Sequence, residues 1–167
     1  MQEFVAYTDG AYEMDTLIGA SAVVIMNKEE SKVLYERTAA RHCTPTEEKQ
    51  QFSQEQEIGA CIRAVMSVPD GSYLTIKTDS QYCVKVLGGE WTAHTNLDLI
   101  NRYKEEVRKH NIRVTFIKVL GHAAEKGKPV IWGNDRADTL CTFAMRRLAT
   151  GGSPICQTHN HAKDPTI

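Results

Sequence analysis

A chain of 167 residues that is 41% hydrophobic and 25% charged has the size and composition of one globular domain with a real core. No apolar run approaches the roughly 18 residues of a membrane span, so no membrane partner is expected. The formal net charge of −1 and a pI near 6.6 argue mildly against a nucleic-acid binder, which is usually basic.

The first residues, MQEFVAYTD, have neither the basic n-region nor the apolar h-region of a secretory signal. Five cysteines (43, 61, 83, 141 and 156) form an odd set, and three sit in helical patterns where a thiol acts as a small apolar side chain. Both features predict an intracellular, reducing setting, cytoplasmic or nuclear, without a disulfide framework.

In chain order, residues 3–9 and 19–26 (GASAVVIM) read as strands of β-branched and small apolar residues. KVLYERTA (32–39) alternates apolar and polar, as a half-solvated strand does. The short polar NKEES between the second and third predicts an antiparallel meander. Ile58, Cys61, Ile62 and Val65 fall at helical spacing and predict a helix over 54–67, with Ser53 and Gln56 as a capping box and Pro69-Asp70-Gly71 as its stop. YLTIKTD (73–79) is a fourth strand, Ser80 to Leu87 a short helix, Leu97 to His110 a longer one, and IRVTFIKVL (112–120) a fifth strand. A loop rich in Gly, Lys and Pro (121–133) leads into a last helix from Asn134 to Leu148. Residues 151–167 show no periodicity and are expected to be a flexible tail beyond a domain of residues 1–150.

The resulting order, β-β-β-α-β-α-α-β-α, makes strands one and four parallel neighbours joined through right-handed crossovers. Asp9 and Asp79 then stand at the carboxyl ends of parallel strands, where open α/β sheets place their sites. Alone, Asp79 could cap the helix after it and Asp9 could start a turn. Together they repel unless a cation lies between them. Glu57 sits at the margin of the apolar stripe of its helix, and Asp138 adjoins Ala137 at the margin of another. Asp138 is preferred to Asp135, which lies in the first helical turn where the dipole explains it. Carboxylates converging from separated segments suit a hard cation; Mg²⁺ fits best, as two ions roughly 3.5–4 Å apart serving phosphodiester cleavage.

TDGA (8–11), Q-x-x-E (Gln54 to Glu57), TDSQY (78–82), GH (121–122) and GNDRADTL (133–140) occur in an order that resembles type 1 ribonuclease H over residues 3–148. The resemblance implies an α/β ribonuclease H-like fold: a five-stranded mixed sheet, strands 1–3 antiparallel and 1, 4 and 5 parallel, flanked by helices. It aligns Asp9, Glu57, Asp79 and Asp138 with four catalytic, metal-holding carboxylates, for Mg²⁺ with Mn²⁺ as a substitute. His122 aligns with a catalytic histidine assisting proton transfer or product release. Gln54, Ser80 and Gln81 align with contacts to an RNA–DNA hybrid, and Asn96 with a residue holding a DNA phosphate.

Two departures stand out. No basic, Trp-containing protrusion precedes HTNLDLINRY, and the 16 positions from His122 to Asp138 make a long, Lys-rich loop similar to retroviral modules. Lys126, Lys128, Arg136, Arg102, Lys104 and Arg108 are the residues available for a local basic rim. The implied activity is endonucleolytic cleavage of the RNA strand of a hybrid, by a chain compatible with a monomer. The rivals are a DNA-acting nuclease or integrase-like protein of the same fold and a non-catalytic hybrid-binding module.

Overall fold

The computed structural model describes residues 1–159. Strands β1 (Glu3–Glu13), β2 (Ile18–Asn27) and β3 (Val33–His42) form the antiparallel meander. β4 (Tyr73–Thr78) pairs with β1 in parallel, and β5 (Arg113–Lys118) pairs with β4 in parallel. A sixth strand, β6 (Ile155–His159), completes one sheet of order β5-β4-β1-β2-β3-β6.

The helices explain why β1 and β2 lack alternation. Phe4, Ala6, Val23 and Ile25 pack with α1 (Lys49–Met66), α2 (Gln81–Leu87) and α3 (Leu97–Lys109), whereas Val5, Tyr7, Ala22 and Val24 pack against α4 (Trp132–Ala149). Strands buried on both faces read as continuous apolar runs. The α4 side is close-packed through small residues. A Cβ added at Gly133 would stand 2.1 Å from the Tyr7 ring, so only glycine lets the head of α4 lie on β1.

Two expectations about local structure are corrected. Helix α1 starts at Lys49, not at residue 54, because Glu48 caps it: its carboxylate accepts the amides of Gln50 (3.0 Å) and Gln51 (2.7 Å). The extra turn is anchored by buried Phe52, which meets Tyr12 edge-on at 5.5 Å and lies under the Arg41 guanidinium at 4.5 Å. The Ser53–Gln56 capping box therefore falls inside the helix and does not form.

The expected five-stranded sheet has six strands, because part of the segment read as a flexible tail is β6. Ile155 pairs with Ala39 and Gln157 with Arg37 along the open edge of β3. The chain reaches that edge through Gly152 N–H to Arg147 O (2.7 Å) and Ala40 N–H to Pro154 O (2.8 Å). Residues 160–167 of the expected tail lie outside the described residues. Among the described residues no helix is long and apolar enough to cross a membrane.

Candidate active site

Asp9 is not the last residue of β1. Its strand runs on to Glu13 because β2 keeps pairing, with Asp9 opposite Ala22, whereas the parallel ladder to β4 stops at Tyr7–Lys77. Asp9 thus lies just past the end of the parallel ladder, and Asp79 just past the last residue of β4. The ladder opens there, and two carboxylates fill the gap.

Glu57 arrives from α1 because nothing stands between that helix and β1. A Cβ on Gly10 would lie 2.5 Å from the Glu57 nitrogen and 2.8 Å from the Gln56 carbonyl carbon, which are backbone atoms that cannot swing away. Gly121 does the same on the other side, where a Cβ would stand 2.5 Å from Asp79 Oδ2. Sequence reasoning missed both glycines as parts of the site; their signal was their place in TDG and GH. The result is that Asp9, Glu57 and Asp79 each offer an oxygen, all within 4.8 Å of one another. Asp138, on the second turn of α4, is close enough for its charge to raise the Asp9 carboxyl. Asp135 lies in the first turn of that helix and is exposed.

Electrostatics describe a centre short of positive charge. Burial, then the charges of Asp79 and Asp138, push Asp9 up to about 8. Glu57 is pushed well above the carboxylate range by burial and by the charge of Asp9, offset in part by the nearby Gly10 amide. Asp79 is raised by burial, offset in part by nearby His122. Glu57 Oε2 is buried with no hydrogen-bond partner. A buried, unpartnered carboxylate oxygen among repelling carboxyls is the donor set of a hard divalent cation. These residues fit such an ion.

His122 sits at the rim with a positive φ of 51° and a side chain 61% exposed, and it lines a recess of about 150 Å³ with Asp79, Asn134 and Asp138. Ser80 caps α2, its hydroxyl accepting the Cys83 amide at 3.1 Å, and Gln81 beside it is exposed. Gln54 lines a second recess, of about 250 Å³, with Trp91 and Thr95. Asn96 next to it takes a left-handed conformation, and its Nδ2 donates to Gln51 O at 3.2 Å, tying α3 to α1. Of the candidate basic rim, Arg136 is held by Glu36 at 2.7 Å and Arg108 by Glu105, so neither is a free cation.

Known proteins match this arrangement. The RNase H family model covers residues 1–146. The ribonuclease H of Methylorubrum extorquens (strain PA1) is 32% identical over 107 residues, 57% of this chain and 43% of that one. The ribonuclease H of Jannaschia sp. (strain CCS1) is 29% identical over 164 residues, 90% of this chain and 96% of that one. The chain thus spans under half the length of the first relative and nearly all of the second. Among solved structures, the N-terminal RNase H domain of a Mycobacterium tuberculosis protein, fused to maltose binding protein, has a TM-score of 0.68 at 18% identity, over 90% of this chain and 97% of that one. LC11-RNase H1 in complex with RNA/DNA hybrid has 0.67 at 19%, over 87% and 98%. These two show the fold.

An α/β sheet with carboxylates massed where its parallel ladder opens, matched by these relatives, is that of a nuclease. More narrowly, the chain belongs to the ribonuclease H family.

Proposed function

We propose that this protein is an endonuclease that hydrolyses the RNA strand of RNA–DNA hybrids, leaving 5′-phosphate and 3′-hydroxyl ends. The observation that carries the reading is the cluster of Asp9, Glu57 and Asp79 within 4.8 Å, with Glu57 Oε2 unpartnered, in a chain of this family. The hybrid bound to LC11-RNase H1 supports the substrate class.

Asp9, Glu57, Asp79 and Asp138 would hold two divalent ions, Mg²⁺ by preference and Mn²⁺ as a substitute. When bound, such ions stabilise charge on phosphate oxygens and make water a better nucleophile at neutral pH. The rest falls to the chain. Gly10 and Gly121 let the carboxyls close up, so the donor set is preorganised by packing and not by the ligand. His122, exposed at the rim beside Asp79, would pass a proton to the departing 3′-oxygen. Gln54, Ser80 and Gln81 would read the shallow minor groove, where 2′-hydroxyls mark the RNA strand, and Asn96 would steady a DNA phosphate. With a net charge of −1 the hybrid would be held weakly, because few of its phosphates are neutralised.

The test is cleavage of a labelled hybrid, with single-stranded RNA, duplex RNA and duplex DNA in parallel, in Mg²⁺, in chelator, and with Asp79→Asn. Hybrid-only cutting that disappears in the last two conditions is expected. Cutting of duplex DNA would make it a DNA-acting nuclease, and tight hybrid binding without cutting would make it a binding module.

A further inference from the structure

The sheet is wider than its helical cover. Along β3, the residues facing α1 are Tyr35, Arg37, Ala39 and Arg41, and β6 continues that face with Ile155 opposite Ala39 and Gln157 opposite Arg37. This ribbon extends past α1, so the flank of α1 and the ribbon line an open cavity of about 810 Å³, with Leu99 and Arg102 of α3 also in its wall. The catalytic centre contributes none of its carboxylates to the lining.

Among the described residues, three of the lining arginines lie near one another without a counter-ion. The described salt bridges engage Arg41, Arg108 and Arg136, but none involves Arg37, Arg63 or Arg102. Arg37 Nε and Arg63 Nε are buried and have no hydrogen-bond partner among the described residues. Burial and the charges of Arg37 and Arg102 also hold the Arg63 guanidinium below its ordinary value. Glu55 lines the same cavity but is committed to Arg41, at 3.0 Å. A like-charged cluster with two orphaned donors is the mirror image of the carboxylate centre, and its missing partner is an anion.

We propose that this cavity is a binding site for a nucleoside di- or triphosphate, with phosphates on Arg37, Arg63 and Arg102 and the nucleoside against Ile62, Met66 and Leu99. The guanidinium fork matches phosphate oxygens two at a time, and three forks call for more than one anionic group. The apolar residues beside them fit a planar body, and the volume is that of a ligand pocket for one small molecule. This site is independent of hybrid cleavage.

The test is titration calorimetry in chelator, with ADP and with inorganic pyrophosphate as probes. Saturable one-to-one binding to the wild type is expected, about tenfold weaker in Arg63→Gln and in Arg37→Gln, since each loses one charge-assisted contact. Arg102→Gln alters an exposed side chain, so it carries the same expectation should the buried variants fail to fold. Asp79→Asn should bind both probes as the wild type does. Absence of binding by both probes would overturn the proposal, as would equal loss in Asp79→Asn. So would binding matched by sulfate at equal ionic strength, or binding of a single-stranded oligonucleotide alone.

Discussion

The two charged regions on either side of α1 are built by opposite means. The acidic centre is assembled by backbone contact: Gly10 and Gly121 remove the atoms that would keep Glu57 and Asp79 away, and like charges are pressed together as a result. The arginine cavity is assembled by the absence of contact, where β3 and β6 outrun the helix that would cover them. One is compact, with three oxygens within 4.8 Å; the other is a space of about 810 Å³. Both store unfavourable charge in the unliganded protein, which a packed core would not keep without a ligand to relieve it. The compact site fits a small dense ion, and the open one fits the extended anion proposed for it.

The sharpest way to break that comparison is to neutralise one region and ask whether the other notices. Asp9→Asn should lower kcat for hybrid cleavage by about 10³-fold or more, because it removes a buried ligand from where charge develops. Arg63→Gln should leave cleavage within about twofold, as expected of a substitution remote from the chemistry. Comparable losses in both variants, measured by steady-state cleavage, would show that the arginines serve the hybrid.

Stability against pH tests the stored charge directly. A carboxyl raised in the fold keeps its proton there at pH values where the unfolded chain has lost it, so it contributes stability below the unfolded value, and that contribution is lost as pH rises through the folded one. For Asp9 the window runs from its ordinary value of 3.8 to about 8. In chelator, the melting temperature should therefore climb as pH falls from about 8.5 to 5.5, and Mg²⁺ should raise it most at the upper end. Asp9→Asn should flatten the profile. Scanning calorimetry that gave a metal-independent, flat wild-type profile would sink the account of the acidic centre.

Gly10→Ala asks whether close contact is what assembles that centre. Its Cβ would meet α1 backbone at 2.5 Å, so the helix must shift, at a cost of about 1–3 kcal/mol for overpacking. The melting temperature should drop by several degrees, and cleavage should fall further than the loss of folded protein explains. Retained activity at reduced stability would mean Glu57 does not need its present seat.

How much of this was written in the chain follows from the same contrast. The meander, the parallel strands and the last helix were legible because apolar spacing records burial; the grouping of Asp9, Glu57 and Asp79 was legible because two carboxylates end strands and the third sits at the margin of a helical stripe. The start of α1 was misplaced because Ser53 and Gln56 mimic a cap, while Glu48, an uncommon capping residue, supplies the real one. β6 was invisible because ICQTH is short and edge-bound, and its partner lies more than a hundred residues away in sequence. With β6 unseen, the arginine cavity could not be inferred either. Arg102 read as part of a basic rim only because Arg37 and Arg63 had no reason to be placed beside it.

The smallest effect separates the two regions on a single helix. Gly59 lies two residues beyond Glu57 on α1, and a Cβ added there meets nothing within 4 Å, because the position faces the arginine cavity. Gly59→Ala should therefore stabilise the protein by about 0.5–1 kcal/mol, the helix-interior preference for alanine over glycine. That is a rise of roughly 2–4 °C at most for a chain of this size. Hybrid cleavage should be unchanged, in contrast to Gly10→Ala. ADP binding should weaken, because the new methyl group occupies space on the cavity wall. A stabilised variant with wild-type cleavage and weakened ADP binding would show that glycine is kept here for the cavity, at the expense of the helix. Unchanged ADP binding would count against the nucleoside seat on Ile62 and Met66, which share this wall with Gly59.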